Sequence, residues 1–247
     1  MKIRTNDIYR VDMAKYTWAN EFTAGKVLDV TCGKYLNYAA SELLLKNNTD
    51  EVYSLDLLDI QQYITLRKLD DGKITYQIKS KKEIDLLKFD TILAFNILSI
   101  VDDYNDTLKF IFDHLNPNGT AIISIINDDG LLDNNHDLIT KDLNLFSKNS
   151  FEQTLKLYFN SIIFFSQGTV TSNEKEEHIK NKLRIKIKNF FLKSVKRYNF
   201  YFKYLRFLDV FFTNMARNKE NKKTHRYEII PFHEENKPLF TIAQCKK

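Results

Sequence analysis

Residues 25–57 read GKVLDVTCGKYLNYAASELLLKNNTDEVYSLDL, and this stretch decides the fold. A short apolar run, Val27, Leu28 and Val30, encloses an acid, Asp29, and breaks into Thr31-Cys32-Gly33. Leu36, Ala39, Ala40, Leu43 and Leu44 follow at helical spacing, and a second apolar run from Val52 to Leu55 ends on Asp56. Strand, turn, helix and strand, with an acid at the second strand's tip, is the nucleotide-binding βαβ unit. The turn offers backbone N–H groups at a helix N-terminus, and the distal carboxylate can accept hydrogen bonds from two ribose hydroxyls.

The flanking sequence extends the unit. Ile8, Val11, Tyr16 and Trp18 among polar residues predict a helix over Asp7–Phe22. Tyr9 or Trp18 on that helix would either cover a bound ligand or fasten the helix to the body. After Asp56 the pattern predicts a helix over Leu57–Arg67, a turn at Asp70-Asp71-Gly72, a strand over Ile74–Ile78 and a polar loop over Lys79–Asp85. A strand over Thr91–Phe95 ends at Asn96. A helix over Asp102–Leu115, a turn at Asn116-Pro117-Asn118-Gly119 and an apolar strand over Thr120–Ile126 come next. Asn127–Asn149 is polar and irregular, and Ser150 to Gln153 reads as a capping box opening a helix through Tyr158. Strands over Phe159–Gln167 and Leu239–Cys245 close the chain. The alternation of strands and helices implies an α/β fold, a doubly wound and mostly parallel sheet of seven strands with helices on both faces.

At 247 residues the chain accommodates one α/β domain with an elaboration, or two small domains. The domain expected from the pattern spans 1–168 and 237–247, with a basic helical insert over 169–236. From Thr169 to Ile230 there is neither Gly nor Pro, and Ile187, Phe191, Val195, Tyr198, Phe202, Leu205, Leu208 and Phe212 form an apolar stripe flanked by Lys and Arg. Residues 174–226 carry 16 Lys and Arg against 5 Asp and Glu, an excess of eleven that leaves the rest of the chain at −6 within a total of +5. Any anionic partner is therefore expected on the insert. No apolar stretch reaches the roughly 18–20 residues of a spanning helix, and MKIRTNDIYR lacks the apolar core of a secretory signal. Two cysteines, Cys32 and Cys245, in different elements indicate neither a disulfide framework nor a metal cluster, and a reducing cytoplasm is the expected compartment.

A dinucleotide fingerprint requires G-x-G-x-x-G after the first strand, and here the frame from Thr31 to Leu36 holds only Gly33. Asp29 would also face, and repel, a pyrophosphate. A ligand without phosphates and with a cationic centre suits the acid better. On these residues VLDVTCGKY resembles the first motif of the class I S-adenosylmethionine-dependent methyltransferases. FDTILAFNIL resembles that family's fourth strand, FIFDHLNPNGTAIISI its helix, L-x-P-x-G turn and fifth strand, NLFSKNSFEQTLKLYFNSIIFFSQ the later helix and sixth strand, and PLFTIAQCKK the antiparallel seventh. The resemblance covers roughly residues 7–167 and 237–247 and is nearest to members that modify small molecules or surface glycans. Thr31 and Tyr35 replace two of the three glycines, Ser80 stands near the usual adenine-binding Asp, and Ser99-Ile100 stands where many relatives carry Glu-His.

The resemblance implies S-adenosylmethionine as cofactor. Asp29 would serve the loop and the methionine amine, and the Thr31, Cys32 and Gly33 backbone would line the methionine moiety. Asp56 would bind the ribose hydroxyls, Ser80 the adenine edge, and Asn96 would lie beside the reacting methyl. Asp29 and Asp56 as helix caps, and Ser80 and Asn96 as loop residues without chemical role, are the structural alternatives. No metal is implied, and no general base is assigned; His136, His233, Asp128 and Asp129 are the candidates by type and position. Cys32 has no activating base nearby and reads as a packing residue.

The expected function is methyl transfer to a small-molecule or glycan hydroxyl. The alternative is a catalytically inactive methyltransferase-like binding or scaffold protein, peripheral to a membrane through its insert. The insert itself packs on the body, covers the cleft as a substrate lid, or meets an anionic membrane surface through 174–226. Its aromatics lie in the apolar stripe rather than on the basic face, which argues against nucleic acid. The pattern assigns no oligomeric state.

Overall fold

The structure is a computed structural model. It describes residues 5–30, 43–45, 49–55, 64–70, 73–79, 81–127, 143–169, 228–233 and 238–247. The elements in chain order are α1 (Thr5–Ala19), β1 (Gly25–Asp29), β2 (Thr49–Leu55), β3 (Ile64–Asp70), β4 (Lys73–Lys79), α2 (Lys81–Ile84) and β5 (Phe89–Phe95). A 3-10 turn (Ile97–Ser99), α3 (Tyr104–His114), β6 (Leu115–Ile126), α4 (Lys148–Leu155), β7 (Ser161–Thr169), β8 (Ile229–Pro231) and β9 (Pro238–Lys246) complete it.

All the strands join one sheet of nine, in the order β4-β3-β2-β1-β5-β6-β9-β7-β8. The centre, β2-β1-β5-β6, is parallel throughout. β3 runs antiparallel to both β2 and β4, and β9 runs antiparallel to both β6 and β7. Following these senses across the sheet, and that of β8 against β7, six strands point one way and three the other. The α/β fold expected from the sequence is present, widened from seven strands to nine by β3 and β8.

The central strands are apolar on both faces because both are covered. Tyr16 and Ala19 of α1 pack with Val27, Leu93, Ile122 and Ile242 on one face. Leu108 and Ile111 of α3, with Phe151 and Leu155 of α4, pack with Leu28, Ile92, Ile123 and Ala243 on the other. Residues 43–45 are helical, with Leu44 and Leu45 buried on the α1 side. The remainder of the helix expected before β2 lies outside the described residues. β1 starts at Gly25, whose φ of 62° and close approach to Asp90 admit no side chain. The Asp90 carboxylate accepts from Lys26 N at 2.9 Å and from Asn116 Nδ2 at 2.7 Å, joining the starts of β1 and β6.

Four local expectations are corrected. The helix expected over Leu57–Arg67 gives way, from Ile64 onward, to β3. Ile64 and Leu66 alternate with polar neighbours, and Asp71-Gly72 between Asp70 and Lys73 is the two-residue connection that hairpins prefer. The loop expected over Lys79–Asp85 contains the short helix α2. Asn116 to Gly119 fall within β6, with Asn118 at φ 65° and a register irregularity opposite Phe89–Thr91. The helix expected from Ser150 through Tyr158 opens instead at Ser147, whose Oγ accepts from Ser150 N at 3.1 Å, and α4 ends at Leu155. β8 falls inside the span expected as the insert and pairs with β7; residues 170–227, with the apolar stripe and the basic run, lie outside the described residues.

Candidate functional site

The chain passes from β1 to β2 on one side and to β5 on the other, so the crevice beyond the ends of β1 and β5 is the topological switch point. Asp29 closes β1 there, in register with Ser54 of β2 and Leu93 of β5. It is 1% exposed, and Tyr16 donates its hydroxyl to Asp29 Oδ2 at 2.8 Å. A buried carboxylate requires such a donor, because its desolvation is otherwise uncompensated. The Tyr16 ring meets Phe95 edge-on, with centroids 5.0 Å apart and planes at 89°, so one residue of α1 spans the tips of both strands.

Asn96, 2% exposed, follows β5 at φ 60° and ψ 3°. Asn tolerates this left-handed conformation better than other residues with a side chain. Its N–H reaches both Ser124 O at 2.9 Å and Ser124 Oγ at 3.0 Å, and Ser124 Oγ donates to Asn96 Oδ1 at 2.9 Å. The 3-10 turn that follows is clamped from two sides. Ile126 N donates to Ser99 Oγ at 3.0 Å, and Asn144 Nδ2 donates to Leu98 O at 3.1 Å and Val101 O at 2.7 Å.

Asp29 and Asn96 are thus brought to one edge of the sheet, on neighbouring strands. Thr31, Cys32, Gly33, Tyr35, Asp56 and Ser80 lie outside the described residues, although β2 and β4, which lead into Asp56 and Ser80, end at that same edge. Ser99 and Ile100 are buried. Of the four base candidates, Asp128, Asp129 and His136 lie outside the described residues, and His233 is exposed beyond β8. Trp18 fastens α1 to the body, with its ring 4.6 Å from Phe165 and 5.0 Å from Phe22; the Tyr9 side chain is not among those described.

Several residues escaped the sequence reading. Tyr16 read only as an apolar position of the first predicted helix, Ser124 as part of an apolar strand, and Asn144 as part of an irregular stretch. Lys15 is fully buried, pairs with Asp12 at 3.0 Å and lies 4.0 Å from the centre of the Phe240 ring. Burial draws its ammonium below the ordinary lysine range, although Asp12 favours the charged form. Cys245 is buried and free, and burial pushes its thiol up, away from reactivity. Among the described residues no group of three or more His, Cys, Asp or Glu could hold a metal ion, and no helix is long and apolar enough to cross a membrane.

A parallel centre, an antiparallel strand beside β6 and a buried acid at the tip of β1 define a class of protein. Residues 11–158 match the family described as Methyltransferase domain, and the chain belongs to it. That family is the class I S-adenosylmethionine-dependent methyltransferases. A SAM-dependent methyltransferase of Archaeoglobus fulgidus is 13% identical, with a TM-score of 0.51, covering 98% of this chain and 95% of that one. A SAM-dependent methyltransferase of Thermotoga maritima is 11% identical, with a TM-score of 0.47 and coverages of 97% and 91%. Haemonchus contortus phosphoethanolamine N-methyltransferase 2, solved with S-adenosyl-L-methionine, is 16% identical, with a TM-score of 0.44 and coverages of 98% and 58%. No curated protein matches the chain.

Proposed function

We propose that the chain transfers a methyl group from S-adenosylmethionine to a hydroxyl of a small molecule or glycan, with the cofactor held at the ends of β1, β2 and β5. The observation that carries this reading is the pair Asp29 and Asn96, buried and hydrogen-bonded at the tips of adjacent strands. The donor set fits the cofactor, because a carboxylate at the end of β1 suits an amine and a sulfonium and opposes a pyrophosphate. Asp29 would accept from the methionine amine, the Thr31–Gly33 backbone would follow the methionine moiety, Asp56 would accept from the ribose hydroxyls and Ser80 would meet the adenine edge. Asn96 would lie beside the reacting methyl.

When bound, the cofactor supplies a methyl on a positively charged sulfur with a neutral leaving group. The protein's share of such chemistry is to align an acceptor oxygen and exclude water, with a modest base for the hydroxyl proton. His136, His233, Asp128 and Asp129 are the candidates for that base. The excess of Lys and Arg over 174–226 suits an anionic acceptor or an anionic membrane surface, the two being joined if the acceptor is a lipid-linked sugar. The scarcity of cysteine suits a reducing cytoplasm.

Ser99 favours a second reading, that of an inactive methyltransferase-like binding protein. It occupies the first position of the relatives' Glu-His, is buried, and already accepts from Ile126 N. Labelled methyl transfer from S-adenosylmethionine into a panel of hydroxylated glycans and small molecules distinguishes the two. Turnover that Asp56→Ala abolishes without unfolding the chain supports the enzyme. S-adenosylhomocysteine binding with no turnover on any acceptor supports the binding protein.

A further inference from the structure

We propose that Tyr16 is a positioning residue for Asp29, and that their hydrogen bond couples the N-terminal helix to whatever occupies the cofactor cleft. The inference rests on the reading of Asp29 as a cofactor-binding acid. Tyr16 and Asp29 are both buried, and the hydroxyl meets Oδ2 at 2.8 Å. A hydrogen bond to an ionised carboxylate away from water is among the stronger side-chain interactions, and it fixes the rotation of the carboxylate about its stem.

The Tyr16 ring is held independently, edge-on to Phe95 at the tip of β5. The hydroxyl therefore has a defined position even before the bond forms. At the other side of the sheet α1 is anchored elsewhere: Gln167 Nε2 of β7 donates to Val11 O at 3.0 Å, and Lys15 sits over Phe240 of β9. The helix thus bridges β7 and β9 to β1, and Tyr16 is its hydrogen-bonded contact with the acid. Linkage is reciprocal, so a ligand that favours the Tyr16-bound orientation of Asp29 also favours the docked helix.

The test is calorimetric titration of the full chain with S-adenosylhomocysteine in a double-mutant cycle. Tyr16→Phe keeps the ring against Phe95 and removes only the hydroxyl, and it is expected to weaken binding about tenfold. In an Asp29→Asn background the same change is expected to cost less than about twofold, because the charged acceptor through which it acts is gone. Equal losses in both backgrounds mean that Tyr16 acts by packing and overturn the proposal, as does an unchanged affinity of Tyr16→Phe. An Asp29→Asn protein that binds as tightly as the unaltered chain overturns the reading of Asp29 itself, which separates the two failures. Amide exchange on the unaltered chain needs no variant: exchange across α1 should slow when S-adenosylhomocysteine is added, and an unchanged pattern at saturation contradicts the coupling.

Discussion

The Ser124 hydroxyl accepts from the Asn96 N–H and donates to the Asn96 side-chain oxygen, so a single residue of β6 holds both ends of the left-handed corner after β5. Ser124→Ala should cost roughly 1–2 kcal/mol, read by urea unfolding, because it leaves the buried amide oxygen of Asn96 without that donor. Unchanged stability would mean that the remaining bonds of Asn96, among them those of its N–H to Ser124 O and of its O to Ser99 N, suffice to hold the corner. Thr241 is the converse. It faces Ser166 across β9 and β7, both are buried, and neither hydroxyl has a hydrogen-bond partner among the described residues. Thr241→Val should therefore raise stability by about 1 kcal/mol, seen as a higher midpoint in thermal unfolding, and a lower midpoint would reveal a partner for that hydroxyl. Asp29 was legible in the sequence because an acid inside an apolar run has few structural uses. Tyr16, 13 residues earlier, was not, because a helical pattern reports which face is buried and not which atom a hydroxyl will meet.

Glu51 shows how neighbouring strands are tied at the level of the element. Tyr53 donates to its Oε2 at 2.8 Å, Lys26 of β1 lies 3.7 Å from the same oxygen, and Lys68 of β3 meets Oε1. Burial pushes this carboxyl up, but Lys68, Tyr53 and Lys26 outweigh it and hold it below the ordinary glutamate value. A depressed carboxyl stabilises the fold above its unfolded pKa of about 4.3 and loses that contribution as pH falls through the folded value. Glu51→Gln should thus lower stability at neutral pH by less than about 1 kcal/mol, the group being partly solvated, and flatten the acid limb of stability against pH. An unaltered acid limb would mean that the contacts of Glu51 with Tyr53, Lys26 and Lys68 contribute nothing. The β3–β4 hairpin containing Lys68 was misread as a helix followed by a strand. Apolar residues between 57 and 67 fit both periods, and only the Asp71-Gly72 connection, which demands two adjacent antiparallel strands, decides between them. The start of α4 was misplaced for a related reason: Ser147 and Ser150 both have capping chemistry and stand three positions apart.

For the whole molecule, the parallel centre was legible because strands buried on both faces are written as unbroken apolar runs. The rest was less so, since edge strands such as β8 carry no such signature. The sheet places β1 and β5 side by side with their ends at the switch point, and the acid and the amide found there are proposed, with Thr31, Gly33, Asp56 and Ser80, to line the cofactor cleft. Saturating ligand should stabilise the chain by about 2.7 kcal/mol at a hundredfold excess over the dissociation constant, as for any ligand confined to the folded state. The central claim is that this cleft holds a sulfonium nucleoside rather than a dinucleotide, and competitive calorimetry measures it directly. Titrated with S-adenosylhomocysteine, the folded 247-residue chain should saturate at one site, and a nicotinamide dinucleotide at the same concentration should neither bind nor compete. No heat of binding from S-adenosylhomocysteine, or its displacement by the dinucleotide, would contradict the account.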